Sequence, residues 1–495
     1  MNQRPPPMNP CIVNGRDRSS SASISRRRFL GGLGASTCGA MSSLPALNTL
    51  LNLQLSEGVA AASAPTNGEY RALVCVFLGG GNDSFNMLVP REQAAYAEYR
   101  AARGILALPP EQLLPIQPIG LPAYGVHAGM PEIASLFEAG QAAFVANVGT
   151  LIERVANRTE VEKNLRRLPL GLYSHSDQLE QWQTSIPQSR SGIGWGGRMA
   201  DLLAELNANR VVPMQISLDG NNVWQTGQSE EVYAITPEGS VGMTGYRPRW
   251  EPNQAVVNAL STAVDSQLAL QQSNLLAQTF NVGKRRALEA NDVFSNATAK
   301  PLPSGVEFPS TYLGYRLEMI ARAIQGRSII GAQRQTFFVF WDGWDHHGEV
   351  LETQGAMLPQ VSAAIGAFQK AMNTLGTDQN VTLFTASDFG RTLTSNAKGS
   401  DHAWGGNQLV VGGAVRGRRL FGQFPSLALN PERGAEKNPL DTGRGRLIPT
   451  TSCDEFFAEL ALWLGVSPTN LPSVFPNIGN FYLPGSSTPP VGFVM

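Results

Sequence analysis

Histidine is scarce in this chain: five occur in 495 residues, at 127, 175, 346, 347 and 402. Cysteine is scarcer still, with four. Charged residues make up 16% and the formal net charge is −1, which excludes a basic nucleic-acid binder. Several motifs are missing as well. No Gly-Lys-Ser/Thr follows the glycine-rich stretch at 79–81, so there is no Walker A loop, and that stretch lacks the spacing of the GxGxxG dinucleotide pattern. No GxSxG elbow is present, which removes the usual mark of a serine esterase. No internal repeat is visible. What the chain has is 42% hydrophobic residues, 51 glycines and 33 prolines, the composition of a folded protein with long ordered loops. Its length exceeds the ~250–300 residues at which a single core stops growing. One large α/β domain with insertions fits, and so do two domains.

The first 64 residues read as a targeting leader and stand outside the fold argument. Residues 1–24 carry Pro, Ser, Asn and Arg without apolar periodicity. Ser25-Arg26-Arg27-Arg28-Phe29-Leu30 then resembles a twin-arginine export signal. The weakly apolar stretch from Gly31 to Leu55 is broken by Gly, Ser and Asn. It is too polar for a stable membrane span, which takes ~20 predominantly apolar residues. Val59-Ala60-Ala61-Ala62-Ser63-Ala64 suits signal-peptidase cleavage. The expectation is a periplasmic or secreted, mildly acidic protein, carried out by the twin-arginine translocase. Cys11 and Cys38 would leave with the leader. Cys75, inside an apolar run, reads as a buried thiol rather than a disulfide partner.

Short apolar runs bounded by turn residues predict buried strands at 73–78, 142–148, 211–218, 337–341, 381–386 and 409–411. Leu358, Val361, Ile365, Phe368, Met372 and Leu375 recur at the spacing of one helix face, with Pro359 expected in the first turn. Residues 130–139 and 454–464 also read as helices. Buried strands alternating with helices predict a mostly parallel, doubly wound α/β sheet flanked by helices. Residues 220–335 are poorer in strand signals and predict a helical insertion or cap, clearest over 254–290. The expected domain runs from 65 to 485, with 486–495 as a tail.

In such a sheet ligands bind beyond the carboxyl ends of the strands. Gly79-Gly80-Gly81-Asn82-Asp83-Ser84 follows the first strand. Asp342-Gly343-Trp344-Asp345-His346-His347 follows the fourth, crowding carboxylates and imidazoles as a Zn²⁺ site does. Ser387-Asp388-Phe389-Gly390-Arg391-Thr392 follows the fifth, and Asp401-His402 comes ten residues later. Ser174-His175-Ser176-Asp177 forms a further cluster, where serine beside histidine suggests a nucleophile with a base or a metal nearby. His127 precedes a helix and reads as structural. Carboxylates at several strand ends, joined by histidines, look like a metal-centred hydrolase site.

This ordered set resembles the exported bacterial family of domain-of-unknown-function 1501, grouped with the alkaline phosphatase and sulfatase superfamily. The resemblance spans residues 68 to 482 and extends to Thr450-Thr451-Ser452-Cys453-Asp454 and Val474-Phe475-Pro476-Asn477-Ile478. It implies an alkaline phosphatase-like fold and a divalent metal: Zn²⁺, or else Mn²⁺, Mg²⁺ or Ca²⁺. Asp83, Asp345, His347, Asp388 and His402 would hold it, with Asp342 and His346 as the other spacing choice. Ser174, Ser176 or Ser84 would be the nucleophile, and Arg391 would steady the anion. The superfamily's Asp-His pair departs here to Asp388-Phe389, which removes one implied ligand. No Cys-x-Pro-x-Arg sulfatase signature is present. Two functions follow as expectations. One is an exported metal-dependent hydrolase of small phosphate or related anionic esters. The other is a non-catalytic periplasmic binding or assembly protein, with an envelope protein as partner, that keeps the fold and one metal.

Overall fold

The computed structural model describes residues 69–494, apart from 208, 248–252 and 432–434. The leader expected over residues 1–64 lies outside these residues. Among the described residues, fourteen strands form three sheets. The main sheet contains β1 (Arg71–Leu78), β5 (Ala142–Gly149), β6 (Gln215–Ser217), β7 (Val232–Ala234), β8 (Arg334–Trp341), β9 (Val381–Ser387), β12 (Gly406–Val411), β13 (Leu420–Phe421) and β14 (Thr451–Ser452). Its order is β13-β5-β12-β9-β1-β8-β6-β7, with β14 also on β5. Every pairing is parallel except those of β12, which runs against both neighbours. The small sheets are β2 (Leu88–Pro90), β3 (Leu113–Ile116) and β4 (Tyr124–His127), and the pair β10 (Arg391–Ser395) with β11 (Ser400–His402).

β1 shows why the sheet sits in the middle. Side chains alternate across a strand, and here both faces are apolar. Ala72, Val74, Val76 and Leu78 join one core, while Leu73, Cys75 and Phe77 join the other. The helices of two turns or more are α1 (Gln93–Arg103), α2 (Pro131–Glu138), α3 (His175–Thr184), α4 (Trp195–Leu203), α5 (Gln254–Ala269), α6 (Leu275–Ala297), α7 (Tyr312–Gln325), α8 (Val350–Leu375) and α9 (Cys453–Leu464). α2, α7 and α8 supply Ile133, Leu317 and Leu358 to the first core. α3, α4 and α9 supply Trp182, Trp195 and Phe457 to the second. The sheet is therefore covered on both faces, the arrangement a parallel sheet needs.

Three local expectations change. Pro359 lies in the interior of α8, because that helix begins at Val350 and not one turn before the proline. Residue 355, whose carbonyl the ring would crowd, is glycine, and the ring packs against Gly129. The segment 220–335 is more than a helical cover: β7 extends the main sheet, and α7 packs on α8 and β8. At the C-terminus, the Glu459 carboxylate accepts the backbone N–H groups of Val491 and Val494 at 2.7 and 2.9 Å, and Phe493 is buried. Cys75 and Cys453 are buried free thiols. Among the described residues, no helix is long and apolar enough to cross a membrane.

Candidate metal centre

β9, β1 and β8 are neighbours, so the loops leaving their carboxyl ends meet. The meeting is tight because Gly80 has φ +115°, and a side chain there would strike the Asp345 backbone nitrogen at 2.5 Å. Trp344 N–H donates to Gly79 O at 3.0 Å, and Gly80 N–H to Asp388 Oδ1 at 3.0 Å. The Arg391 guanidinium, wholly buried, ties the loops together. It donates to the carbonyls of Gly80, Gly81, Trp344 and Ser400 at 2.6–3.2 Å, and to the Asp345 carboxylate. Hydrogen bonds from an ionised donor are the strong kind, and these fix Asp345 at the tip of β8. Because its donors are taken up inside the fold, Arg391 acts on Asp345 rather than on an incoming anion.

Three imidazoles surround Asp345. His175, at the start of α3, approaches Asp345 Oδ2 at 3.4 Å through Nε2. The Nε2 atoms of His347 and His402 lie 3.1 and 3.4 Å from Asp345 Oδ1. His402 Nε2 lies between the others, 3.1 Å from His175 Nε2 and 2.8 Å from His347 Nε2. A tetrahedral Zn²⁺ with bonds of ~2.0–2.1 Å sets its ligand atoms about 3.3 Å apart. His175, Asp345 and His402 alone satisfy a three-ligand cation site.

The other ring nitrogens decide what faces inward. His402 Nδ1 donates to Tyr173 O at 2.7 Å, since a carbonyl can only accept. His175 Nδ1 donates to Asp388 Oδ2 at 2.8 Å, and His347 Nδ1 to Asp401 Oδ1 at 3.1 Å. In the neutral ring a proton on Nδ1 leaves a lone pair on Nε2. Three lone pairs and a carboxylate thus converge with no donor of their own to bridge them. Carboxylates and carbonyls that hold imidazoles from behind, as Asp388, Asp401 and Tyr173 O do here, are the arrangement found in the outer shell of metal sites. The donor set fits a divalent cation.

The surroundings tune this set. The hydrogen bond to Asp388 raises the pKa of His175, against the opposing effect of burial. Burial lowers that of His402. Burial opposes the charge of Asp345, but the bonded Arg391 guanidinium outweighs it and holds the carboxyl below its ordinary value. At Asp401 burial is likewise outweighed, by hydrogen bonds from Asn396 and Arg444. The cluster is half open: the Asp345 side chain is 43% exposed and that of His175 35%.

Of the five metal ligands that the resemblance implies, the structure gathers the side chains of Asp345, His347 and His402 around one point. Asp388 stands behind His175 and turns its oxygens to that ring and to Gly80. Asp83 pairs elsewhere: it is wholly buried, bonded to the equally buried Arg103 at the end of α1. Asp342 Oδ1 accepts its own loop's Gly343 N–H at 2.7 Å, and His346 is buried beside Trp344. His127 accepts the Gly129 N–H at 3.0 Å, apart from the cluster. The serines do not bond to the cluster. Ser174 Oγ and Ser176 Oγ are 3.1 Å from one another, and buried Ser84 Oγ accepts the Asn407 N–H at 2.8 Å. Phe389 packs against His175 and His402, with ring centroids 4.8 and 4.6 Å away. The member of the cluster that residue types at strand tips did not bring into view is His175. Its signal was scarcity, one of five histidines placed at a helix start.

The model of the family "Protein of unknown function (DUF1501)" matches residues 70–440. The chain belongs to that family. The cluster's His175, Asp345, His347 and His402 all fall within the DUF1501 match. No curated protein matches the chain. Among solved structures, the PsFucS1 sulfatase from Pseudoalteromonas sp. is similar at 11% identity and a TM-score of 0.32, over 90% of this chain and 75% of that one. The lipoteichoic acid synthase LtaP from Listeria monocytogenes is similar at 8% identity and a TM-score of 0.30, over 80% and 81%. The phosphonate monoester hydrolase of Agrobacterium radiobacter is similar at 11% identity and a TM-score of 0.25, over 82% and 77%.

Proposed function

We propose that this DUF1501 protein is an exported, metal-dependent hydrolase of phosphate or related anionic esters. The observation that carries the reading is the convergence of donor atoms of His175, Asp345 and His402, with His347 Nε2 2.8 Å from His402 Nε2 and 3.1 Å from Asp345 Oδ1, in a half-open cluster at the ends of β1, β8 and β9. Three nitrogens and one carboxylate favour Zn²⁺ or another first-row ion over Mg²⁺ and Ca²⁺, which take oxygen ligands. A bound cation would supply Lewis acidity toward an ester oxygen and lower the pKa of water. The chain's own residues do the positioning. Asp388 and Asp401 fix two rings, Tyr173 O fixes the third, and Arg391 fixes the carboxylate. Export rests on the Ser-Arg-Arg-x-Phe-Leu order at 25–30.

A second reading is favoured by the serines. With no described hydroxyl bonded to the cluster, the protein would bind a cation and an anionic partner without cleaving it. The two separate on a panel of phosphate mono- and diesters, assayed with Zn²⁺ or Mn²⁺. Turnover that disappears in His402→Ala supports the hydrolase. Cation binding without turnover supports the binding protein.

A further inference from the structure

We propose that Arg446 is the residue that binds the oxyanion of the ligand at this centre. The inference rests on the reading above only in taking that ligand to be a phosphate or related ester. Three arginines stand around the cluster. Arg391 is wholly buried, with every guanidinium nitrogen donating to one of four carbonyls or to Asp345. Arg444 pairs with Asp401 at 2.6 Å, behind His347. Arg446 differs. Its Nε donates to the backbone carbonyl of His402 at 3.2 Å, and its guanidinium lies over the Tyr173 ring, 5.0 Å from the centroid. Its terminal Nη1 and Nη2 make no hydrogen bond or ion pair among the described residues, and the residue is half-buried.

Both anchors of Arg446 lead to the same imidazole. His402 gives the carbonyl, and Tyr173 gives the carbonyl that holds His402 Nδ1. The guanidinium is thereby set beside a cation ligand, with its outer edge unengaged. The loop that carries it is fixed from within. Buried Asp441 accepts the N–H groups of Gly443 and Gly445 at 2.8 Å each, and Thr442 N–H donates to Arg446 O at 3.0 Å. A planar fork held in place matches two oxygens of a phosphate or sulfate group at little ordering cost. Charge agrees. Asp345, Asp388 and Asp401 are balanced by Arg391, Arg444 and Arg446, so a divalent cation leaves the centre positive.

The test is calorimetric titration of inorganic phosphate into the zinc-loaded full chain and its Arg446→Gln and Arg446→Lys variants, with zinc content measured alongside. Arg446→Gln is expected to keep its zinc and weaken phosphate by at least about tenfold, a typical loss for a charged hydrogen-bonding partner. Arg446→Lys should recover only part, because a point charge cannot form the fork. Phosphate bound within twofold of the parent by the zinc-retaining Arg446→Gln variant overturns the proposal, as does failure of the parent to bind phosphate. Loss of zinc together with phosphate also overturns it, assigning Arg446 to supporting His402. Absence of ester turnover would defeat the hydrolase reading alone, since the phosphate comparison needs no turnover.

Discussion

Asp83 and Asp345 both stand just beyond strands of one sheet, yet the fold treats them oppositely. Asp83 is sealed in and neutralised by Arg103, which also donates to Asn86 and to the carbonyls of Thr392 and Leu393. Asp345 is half exposed, held on one side by Arg391 and faced on the other by three imidazoles. The charge of Asp83 is answered inside the fold by one guanidinium on Oδ2, while its buried Oδ1 has no hydrogen-bond partner among the described residues. A carboxylate facing three ring lone pairs is incomplete. Asp454 is a third case. It is buried, accepts from Ser185 Oγ, leaves Oδ2 unpaired, and burial pushes its carboxyl up to about 7. Position in the fold therefore says less about an acid's role than the group that answers its charge.

The largest effect should come from opening the sealed pair. Arg103→Met leaves Asp83 buried without its partner and should cost about 3–5 kcal/mol in urea unfolding. Zinc affinity measured where the variant is still folded should stay near that of the parent. A large loss of zinc affinity there would join the two regions that the contrast separates.

Next come the residues at the open cluster. Asp345→Ala and His402→Ala should each weaken zinc beyond the ~10–100-fold expected for outer partners. His127→Ala should bind like the parent. Asp388→Asn and Asp401→Asn should fall within that ~10–100-fold range, since each only orients a ring. Asp388 also raises the pKa of His175, so in the parent zinc must displace a proton held to a higher pH than usual. Zinc affinity should therefore fall as pH is lowered through the raised His175 value, and Asp388→Asn should move that fall to lower pH. An unchanged pH profile would remove Asp388 from this role.

The smallest effect concerns Asp454. Its folded value lies above the unfolded one, so its contribution to stability is full below about 4, the ordinary aspartate value, and is lost as pH rises through about 7. Asp454→Asn should flatten the stability profile over that window without changing zinc binding. A slope equal to the parent's would place the pH dependence elsewhere.

The sequence made the strand tips legible because buried parallel strands are continuous apolar runs, and the runs at 73–78, 337–341 and 381–386 end at Gly79, Asp342 and Ser387. That brought Asp345, His347 and His402 into view. It could not rank the acids. Nothing local in Asn82-Asp83-Ser84 says that an arginine twenty residues on, at the end of α1, will return to neutralise it. Nothing in Asp388-Phe389 says that the carboxylate will stand behind an imidazole from residue 175. His175 itself was obscured by its serine neighbours, whose hydroxyls turn to one another. Pro359 misled for a simpler reason: proline is best tolerated in a first turn, but α8 begins at Val350, nine residues before it.

The central claim is that three Nε2 lone pairs and Asp345 hold one divalent cation. Calorimetric titration of Zn²⁺ into chelator-stripped protein near pH 7, repeated in buffers of different ionisation enthalpy, tests it most directly. The account predicts tight binding with proton release in the parent, with the affinity lost in His402→Ala. Absence of binding in the parent, or binding of equal strength in His402→Ala, would contradict it.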